Sequence, residues 1–428
     1  MSNLNMPLIR FTQYSDSWKL RPLSELIASV DSGWSPQCDD GTASMGEWGV
    51  LKTTSIQWTG FEPKQNKKLP NALEPRAKLS LSKNDILVTR AGPNERVGVV
   101  SIVNQDYPML MLSDKIIRLR ANAEVDPSYL ALNLSLKKSN YQIMRKASGL
   151  ATSQTNISQG FLLQTKLNVP ELPEQQKIAT FLSKVDEKIA LLTEKKDKLT
   201  EYKKGVMQQL FNGKWEEQDG QLTFIPPTLR FKADDGSEFP DWEEKTLGDV
   251  SDVRDGTHDS PKYVESGYPL ITSKNLCVDG TIDYSNVSLI SEEDYLQINR
   301  RSKVDIGDIL FGMIGTIGNP VIVNMSGFAI KNVALIKQKS ITLDNKFLIQ
   351  YLASSSIAKQ FYKLNAGGTQ KFIALGVIRN LIVDVPCEEE QAKIANFLSA
   401  IDQKIDLTNL ELAKAKEWKK GLLQQMFV

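Results

Sequence analysis

The segment that decides the fold is EQQKIATFLSKVDEKI, residues 174–189. A close copy, EQAKIANFLSAIDQKI, follows 216 residues later at residues 390–405. The same offset relates the two Lys-Lys-Gly triplets at 203–205 and 419–421, so the two segments align without a gap. A repeat of this length indicates a chain built from two equivalent halves.

Both copies predict long helices, because apolar residues recur at alternating steps of three and four. A helix of about 35 residues would be roughly 50 Å long, which is longer than a compact domain usually contains. The near-identical stripes favour packing of the two helices on each other, and the alternative is two unrelated core helices. The stripe residues, which we expect to form a coiled coil or to dock partners, are Ile178, Leu182, Val185, Ile189, Leu192, Leu199, Ile394, Leu398, Ile401, Ile405, Leu412 and Leu422.

The segments upstream of each helix predict α+β domains with a curved sheet. Runs of β-branched residues at 97–103, 115–119 and 321–323 predict strands, and residues 128–137 and 346–362 predict helices. Gly and Pro among charged residues predict a linker between the halves. The expected parts are a first domain at 1–173, a central helix at 174–212, a linker at 213–240, a second domain at 241–387 and a C-terminal helix at 388–428.

Composition places the chain among ordinary globular proteins, with 41% hydrophobic and 24% charged residues. The three cysteines lie far apart, and no apolar run approaches a membrane span, so we expect a cytoplasmic protein with reduced thiols. The net charge of +1 hides a difference between the halves: residues 1–173 carry +5 and residues 215–386 carry −6. A basic stripe would indicate nucleic-acid binding, and the second half has no net positive charge.

Several kinds of catalytic site are excluded by the sequence. His258 is the only histidine, so a histidine-rich metal site is impossible, and a lone histidine beside Asp259 is more often a loop residue than a base. There is no GxxxxGK[ST] phosphate loop. The nearest match to an adenine methyltransferase motif, Asn319-Pro320-Val321, lacks the second proline and the aromatic residue. We therefore expect no catalytic residue and no metal ligand in this chain.

The order of domain, EQxxIxxFLxxxDxKI helix, domain and the same helix again resembles the specificity subunits of type I restriction-modification systems over essentially the whole chain. Each helix motif follows a short apolar strand that ends in proline, at Pro170 and Pro386. Gly-Asp-Ile-Leu at 307–310 is also similar to that family's target recognition domains, whereas the first half has Asn84 in place of the glycine.

This resemblance implies two target recognition domains, each reading one part of a bipartite site in double-stranded DNA, joined by an antiparallel pair of helices. It also implies two methyltransferase subunits docked on the helices, which use S-adenosylmethionine to modify adenine. Restriction subunits that translocate DNA with ATP and Mg²⁺ would join through them. This chain would bind no cofactor itself.

DNA recognition requires polar side chains on loops that reach base edges or phosphates. The candidates were chosen by their position after predicted strands and in glycine-rich loops. In the first domain they are Lys52, Thr53, Arg90, Asn94, Arg96, Lys146, Thr152, Ser153 and Gln154. In the second domain they are Thr257, His258, Ser273, Lys274, Asn275, Met313, Thr316, Thr369, Gln370 and Lys371.

Two other classes of function stay open at this point. A pure interaction scaffold would use the repeated helices for partners and the domains for something other than DNA, and the acidic second half favours it. A stand-alone enzyme is supported only by the glycine run Gly312, Gly315 and Gly318. The methylation pattern of a host that carries this chain would distinguish these classes.

Overall fold

A computed structural model describes residues 6–38, 41–145, 147, 155–218, 221–225, 227, 229–315, 317–339, 342–364 and 372–427, with the backbone alone for 214–218, 221–225 and 364. The chain divides into two compact units. Unit 1 is Met1–Thr193 with Glu411–Val428, and unit 2 is Glu194–Leu410. Each unit therefore combines one α+β domain with segments of both repeated helices.

Unit 1 is built on two four-stranded sheets. The first, in spatial order, is antiparallel and contains Val100–Ile102, Ile86–Thr89, Ile116–Ala121 and Ile27–Ser32. The second contains Asn66–Lys68, Gly49–Leu51, Tyr107–Met111 and Ser80–Leu81, and its middle pair is parallel. Short pairs are Lys19–Pro22 with Lys166–Val169, Ile56–Gln57 with Gly60–Phe61, and Ala91–Gly92 with Thr155–Asn156.

Unit 2 repeats this arrangement of strands. Its antiparallel sheet contains Ser251–Asp255, Val333–Gln338, Ile309–Gly312 and Gly318–Ile322, with Val333–Gln338 and Ile309–Gly312 in the centre. Its second sheet contains Tyr263–Val264, Ser288–Ile290, Tyr268–Thr272 and Ala329–Lys331, and again includes one parallel pair. Short pairs are Glu243–Thr246 with Ile382–Val385 and Lys214–Gln218 with Gln221–Ile225. The two halves of the chain therefore share one fold.

Short helices cover the sheets of each unit. In unit 1 they are Pro127–Ser135, Lys137–Met144 and Gln159–Leu163. In unit 2 they are Leu247–Val250, Glu292–Ser302, Asn345–Leu352, Ser355–Leu364 and Leu375–Arg379. Single 3₁₀ turns occupy Leu23–Glu25, Thr53–Ser55, Ala77–Leu79, Asn94–Arg96 and Ser273–Asn275.

Two helices are far longer than the others: the central helix, Leu172–Phe211, and the C-terminal helix, Glu388–Gln425. Within unit 1, Phe181 and Trp418 contact each other with ring centroids 5.9 Å apart, and further along Leu192 packs with Leu412. Residue numbers rise along the central helix while those of its partners on the C-terminal helix fall, so the two helices are antiparallel. The predicted α+β class with two long antiparallel helices is confirmed.

Ion pairs link the two long helices at equivalent positions of the repeat. In unit 1, Asp186 lies 2.5 Å from the ammonium group of Lys419. In unit 2, Lys203 lies 2.6 Å from Asp402. Lys203 interrupts the apolar stripe of the central helix, and this contact explains the interruption because a charge on a packed face needs a partner.

The first two residues of each helix motif are structural. Glu174 and Glu390 are buried, and each accepts two hydrogen bonds of 2.7 to 2.8 Å from one arginine, Arg10 or Arg230. The neighbouring Gln175 and Gln391 are also buried. Each accepts a hydrogen bond from a backbone N–H of the preceding α+β domain and donates one to a proline carbonyl before the helix. The motif thus joins each helix to the domain that precedes it.

The C-terminal end of each long helix instead packs into the α+β domain of the other half of the chain. Phe211, the last residue of the central helix, packs against Trp242 and Tyr351 in unit 2, with centroids 6.4 and 5.2 Å away. Its repeat equivalent Phe427 packs against Trp18 in unit 1 at 6.3 Å. The core of each unit is therefore completed by a residue from the distant copy of the helix.

Two local expectations need correction. The segment 346–362, predicted as one helix, forms two, Asn345–Leu352 and Ser355–Leu364, because the first ends at Ala353 and the chain turns before Ser355. The predicted linker contains a strand pair, Lys214–Gln218 with Gln221–Ile225. None of the helices in the described ranges is long and apolar enough to cross a lipid bilayer.

Candidate nucleic-acid interface

Two of the loops predicted from the sequence, which carry Lys52–Thr53 and Arg90–Arg96, come together in unit 1. We define the first loop group as residues 33–35, 52–57, 90–96, 114–115 and 155–157. The backbone N–H of Arg90 donates to Lys115 at 2.9 Å, and the carbonyl of Arg90 accepts from Ile157 at 2.8 Å. The guanidinium of Arg96 donates to the carbonyls of Thr53 and Ile56 at 2.8 and 2.9 Å. Four separate parts of the chain are thereby held together.

An equivalent cluster lies in unit 2. We define the second loop group as residues 256–258, 273–275, 313–314, 331–332 and 372–373. Ser273 is its centre, because its hydroxyl donates to the carbonyl of Asn332 at 2.9 Å and accepts backbone N–H groups of Met313 and Ile314 at 3.1 and 3.3 Å. The backbone N–H of Ile373 donates to Met313 at 2.8 Å. Met313 thus holds the position of Arg90 in the fold.

Close backbone approach requires glycine at the entry of both loop groups. A Cβ atom on Gly33 would lie 1.7 Å from the carbonyl oxygen of Leu112. A Cβ atom on Gly256 would lie 2.3 Å from that of Ile330. Any side chain would clash at these distances, so both glycines fix the path of the loop that follows.

His258 is held by its neighbours although it is exposed. Its Nε2 lies 2.8 Å from a carboxylate oxygen of Asp255, and its Nδ1 lies 2.8 Å from the amide oxygen of Asn332. Asp255 also accepts a hydrogen bond from Arg301. Both ring nitrogens are therefore engaged within unit 2, and the ring faces and C–H edges are what this histidine presents outward.

Asn332 itself has a positive φ of 55°, a conformation that non-glycine residues adopt rarely and that is found often at functional sites.

The predicted DNA contacts fall into three groups. Those with exposed or half-buried side chains in the loop groups are Lys52, Thr53, Arg90, Asn94, Thr257, His258 and Lys274. Those whose side chains are used inside the protein are Arg96, Ser273, Asn275 and Met313. Those outside the described residues are Lys146, Thr152, Ser153, Gln154, Thr316, Thr369, Gln370 and Lys371.

Burial and hydrogen bonding argue against a DNA contact by the second of these groups. Ser273, Asn275 and Met313 are 3%, 5% and 1% exposed. Asn275 forms a capping box with Thr272 and donates to the carbonyl of Asp283 at 3.1 Å. One guanidinium nitrogen of Arg96, Nη2, donates to two carbonyls of the same loop group. These side chains hold the loops together through contacts inside their own unit, and their contact with DNA stays a prediction.

The cations left without a partner include Lys52 and Arg90 in unit 1 and Lys274 in unit 2. None of the three forms a hydrogen bond or ion pair through its side chain within the described ranges. Free Arg and Lys side chains on rigid loops are suited to phosphates and base edges. Both loop groups therefore present positive charge that the protein itself does not neutralise.

Several carboxylates of the second half form ion pairs within unit 2. Hydrogen bonds from Arg254 hold the pKa of Asp252 below its usual value. Hydrogen bonds from Lys337 and Lys303 likewise hold the pKa of Asp305 below its usual value.

Among the described residues, no group of three or more His, Cys, Asp or Glu side chains could hold a metal ion.

Sequence reasoning missed Trp34, Ser35 and Asn332. Trp34 and Ser35 follow Gly33 as Thr257 and His258 follow Gly256, and a proline closes both stretches, at Pro36 and Pro261. Ser35 hydrogen-bonds to Asp114 as His258 does to Asn332. The shared glycine and proline could have revealed the equivalence, whereas nothing in the sequence marked Asn332.

The apolar stripe of the long helices faces inward. Ile178, Leu182 and Val185 belong to the main core of unit 1, and Ile394, Leu398 and Ile401 belong to that of unit 2. Leu192 and Leu412 pack together, Leu422 is buried in unit 1, and Ile189, Leu199 and Ile405 are half-buried.

Other apolar side chains of the helices are exposed at equivalent repeat positions. Leu191 and Leu407 are 59% and 62% exposed, and Tyr202 and Trp418 are 54% and 50% exposed. Unit 1 carries Leu191 and Trp418, and unit 2 carries the other two. Each long helix thus presents one leucine and one aromatic side chain to solvent at matching positions.

The sequence matches the family model described as "Type I restriction modification DNA specificity domain" twice, over residues 47–201 and 240–417. The specificity subunit of type I restriction enzyme EcoEI from Escherichia coli is 39% identical over 163 residues, which are 38% of this chain and 27% of that relative. The specificity subunit of type I restriction enzyme MjaVIII from Methanocaldococcus jannaschii is 28% identical over 354 residues, covering 80% of this chain and 78% of the relative.

Solved structures share the fold. The type I restriction-modification S subunit from M. genitalium superposes with a TM-score of 0.63 over 99% of both chains at 16% identity. A chain from work on assembly and conformational transition of a type I R-M system gives a TM-score of 0.53 at 16% identity, covering 96% of this chain and 97% of that chain. Sequence identity this low limits the likeness to the fold.

Proposed function

Because this chain belongs to the family of type I restriction-modification DNA specificity proteins, we propose that it is the DNA-reading, non-catalytic subunit of such a complex. Each unit reads one half of a bipartite site. The long helices dock two adenine methyltransferase subunits and, through them, the translocating endonuclease subunits. S-adenosylmethionine, ATP and Mg²⁺ are used by those partners.

The observation that carries this proposal is the pair of equivalent loop groups, one in each unit, with unpaired cations. Arg90 follows the strand Ile86–Thr89, and Lys274 lies in the 3₁₀ turn Ser273–Asn275. A duplicated set of rigid loops can read two short sequences independently, because each set has its own side chains. A single enzyme site would not require this duplication.

The direct test is the methylation pattern of cells that express this chain with its methyltransferase partner. We expect one bipartite motif with methylated adenine in each half. DNA methylation without such a motif, or a purified complex that has no preference among DNA sequences, would contradict the proposal. The latter result would favour the scaffold, for which the −6 charge of residues 215–386 is the main support.

Replacing Arg90 by alanine is expected to weaken binding at the half-site read by unit 1 and to leave the other half-site unchanged. The loss should be about 1 to 3 kcal/mol if Arg90 contacts a base. Lys83 lies just before the same strand, at its opposite end, and its alanine variant is the matched control. Binding of both variants to a DNA library with each half-site randomised in turn would measure the effect. Equal loss in both half-sites would contradict the assignment.

Docking on the helices is expected to depend on the exposed apolar residues. Leu182 and Leu398 are fully buried, so charged residues there would disrupt the chain's own cores. Replacing Leu191 and Leu407 together by aspartate should instead abolish co-purification of the methyltransferase, because charge in the centre of an apolar contact is strongly unfavourable. Aspartate at Ser183, exposed two turns earlier, is the control.

The single variants at Leu191 and Leu407 test how many methyltransferase subunits the chain binds. Each is expected to lower the amount of bound methyltransferase from two copies to one, because the positions are equivalent in the repeat. Native mass spectrometry would measure this stoichiometry. Two bound copies in the double variant, with the fold intact, would show that docking occurs elsewhere.

A further inference from the structure

We propose that Arg76, which lies flat on the ring of Trp34, reads a guanine base in the half-site of unit 1. The inference rests on the proposed function, since it assigns a base contact to the first loop group. Nothing in the sequence singled out either residue. The stack became visible only once the chain had brought residues 34 and 76 together.

The geometry presents the guanidinium in a fixed orientation. Its central carbon lies 4.0 Å from the centroid of the Trp34 ring. Trp34 is packed against the core of the second sheet of unit 1. On the other side, the backbone N–H of Arg76 contacts the sulfur of Met111, and the following 3₁₀ turn buries Leu79. The ring and the backbone of the arginine are thus both anchored.

The hydrogen-bond donors of this arginine are uncommitted. Most other arginines donate to acceptors within the chain, as Arg10 does to Glu174 and Arg118 does to Asp31. Arg76 is exposed, and its guanidinium has no hydrogen-bond or carboxylate partner in the described part of the chain. A stacked guanidinium covers its face and leaves its N–H edges free. Those edges match the O6 and N7 acceptors of guanine in the major groove.

The stack adjoins the first loop group, because Trp34 belongs to that group. Trp34 follows Gly33 in the first loop group, and its neighbour Ser35 contacts Asp114. The backbone of the next residue, Lys115, accepts the N–H of Arg90. Unit 2 has Thr257 where unit 1 has Trp34, so it lacks the aromatic platform. The contact is therefore specific to one half-site.

The test uses the complex of full-length chain and methyltransferase with DNA in which the unit 1 half-site is randomised. For Arg76→Ala we expect a loss of about 5- to 100-fold in affinity for sites with one particular guanine, and little change for other bases at that position. Arg76→Lys should lose the same preference, because an ammonium cannot form the paired contact. Lys78→Ala, two residues further on and exposed, is the matched control.

Other outcomes would overturn the inference. Uniform weakening on all sequences would make Arg76 a phosphate contact, and unchanged selectivity would remove it from the interface. Thermal unfolding should be unchanged in the Arg76 variants, which excludes loss of fold as the cause. Trp34→Leu keeps Arg76 but removes its platform, and it should reduce the same preference for guanine. If Trp34→Leu fails to fold, the result for Arg76→Lys alone tests the inference. A wild-type complex without any sequence preference would refute the proposed function itself, whereas preference retained in Arg76→Ala refutes only this contact.

Discussion

Replacing Phe211 by alanine is expected to destabilise unit 2 by about 3 to 5 kcal/mol and to leave unit 1 at its wild-type stability. The ring of Phe211 is 2% exposed and contacts Trp242, Phe347 and Tyr351. Truncation removes these contacts and leaves a cavity. Because a domain is usually stable by about 5 to 15 kcal/mol, the loss is a large share of the total.

The matched variant is Phe427→Ala, in which the effect should move to unit 1. Phe427 contacts Trp18 and Tyr129, and it comes from the second copy of the helix. Hydrogen exchange resolves the two units: protection should fall in Ile309–Gly312 for the first variant and in Ile86–Thr89 for the second. Tyr202→Ala, exposed on the central helix, should change neither. Equal loss of protection in both units would contradict the finding that Phe211 completes the core of unit 2 and Phe427 that of unit 1.

Lengthening both long helices by one turn is expected to widen the spacer between the half-sites by one or two base pairs. Four good helix formers after Lys195 and after Glu411 add about 6 Å, and base pairs rise about 3.4 Å in B-DNA. These repeat-equivalent positions lie where the helices pass from one unit to the other. The pairs Asp186–Lys419 and Lys203–Asp402 stay together within their own units.

Sequencing of methylated sites measures the spacer. Both half-site sequences should stay the same, because no loop is altered. The same four residues inserted between the strands Lys214–Gln218 and Gln221–Ile225 form the control and should leave the spacer unchanged. A spacer of variable length in the helix variant would indicate a flexible tether. A sharp, unchanged spacer would show that helix length does not set the distance between the half-sites.

The sequence predicted which loops follow the strands and much less about their side chains. Within the described residues, the loops that follow the strands come together, because strand ends at one edge of a sheet are neighbours in space; the predicted contacts in the glycine-rich loops lie outside the described residues. Which side chain of a loop points outward was not predictable. Ser273 and Lys274 are adjacent, yet the first is buried in a hydrogen-bond network and the second is exposed.

The apolar stripe of the long helices also shows what the sequence could not predict. Periodicity correctly identified Leu182 and Leu398 as members of an apolar face. It did not distinguish a face that covers the chain's own core from one left for a partner, because both require the same residue types. The exposed Leu191 and Leu407 differ from the stripe only in their surroundings.

By itself the sequence determined the duplication, the two long helices, the α+β class and the family, because these follow from local periodicity and from a repeat that is legible residue by residue. The tertiary structure alone decided which helix end completes which core, as Phe211 and Phe427 do, and which arginine is free, as Arg76 is on Trp34. The physical reason is that such contacts join residues far apart in the chain. Their formation depends on how the whole unit packs, which no local pattern encodes.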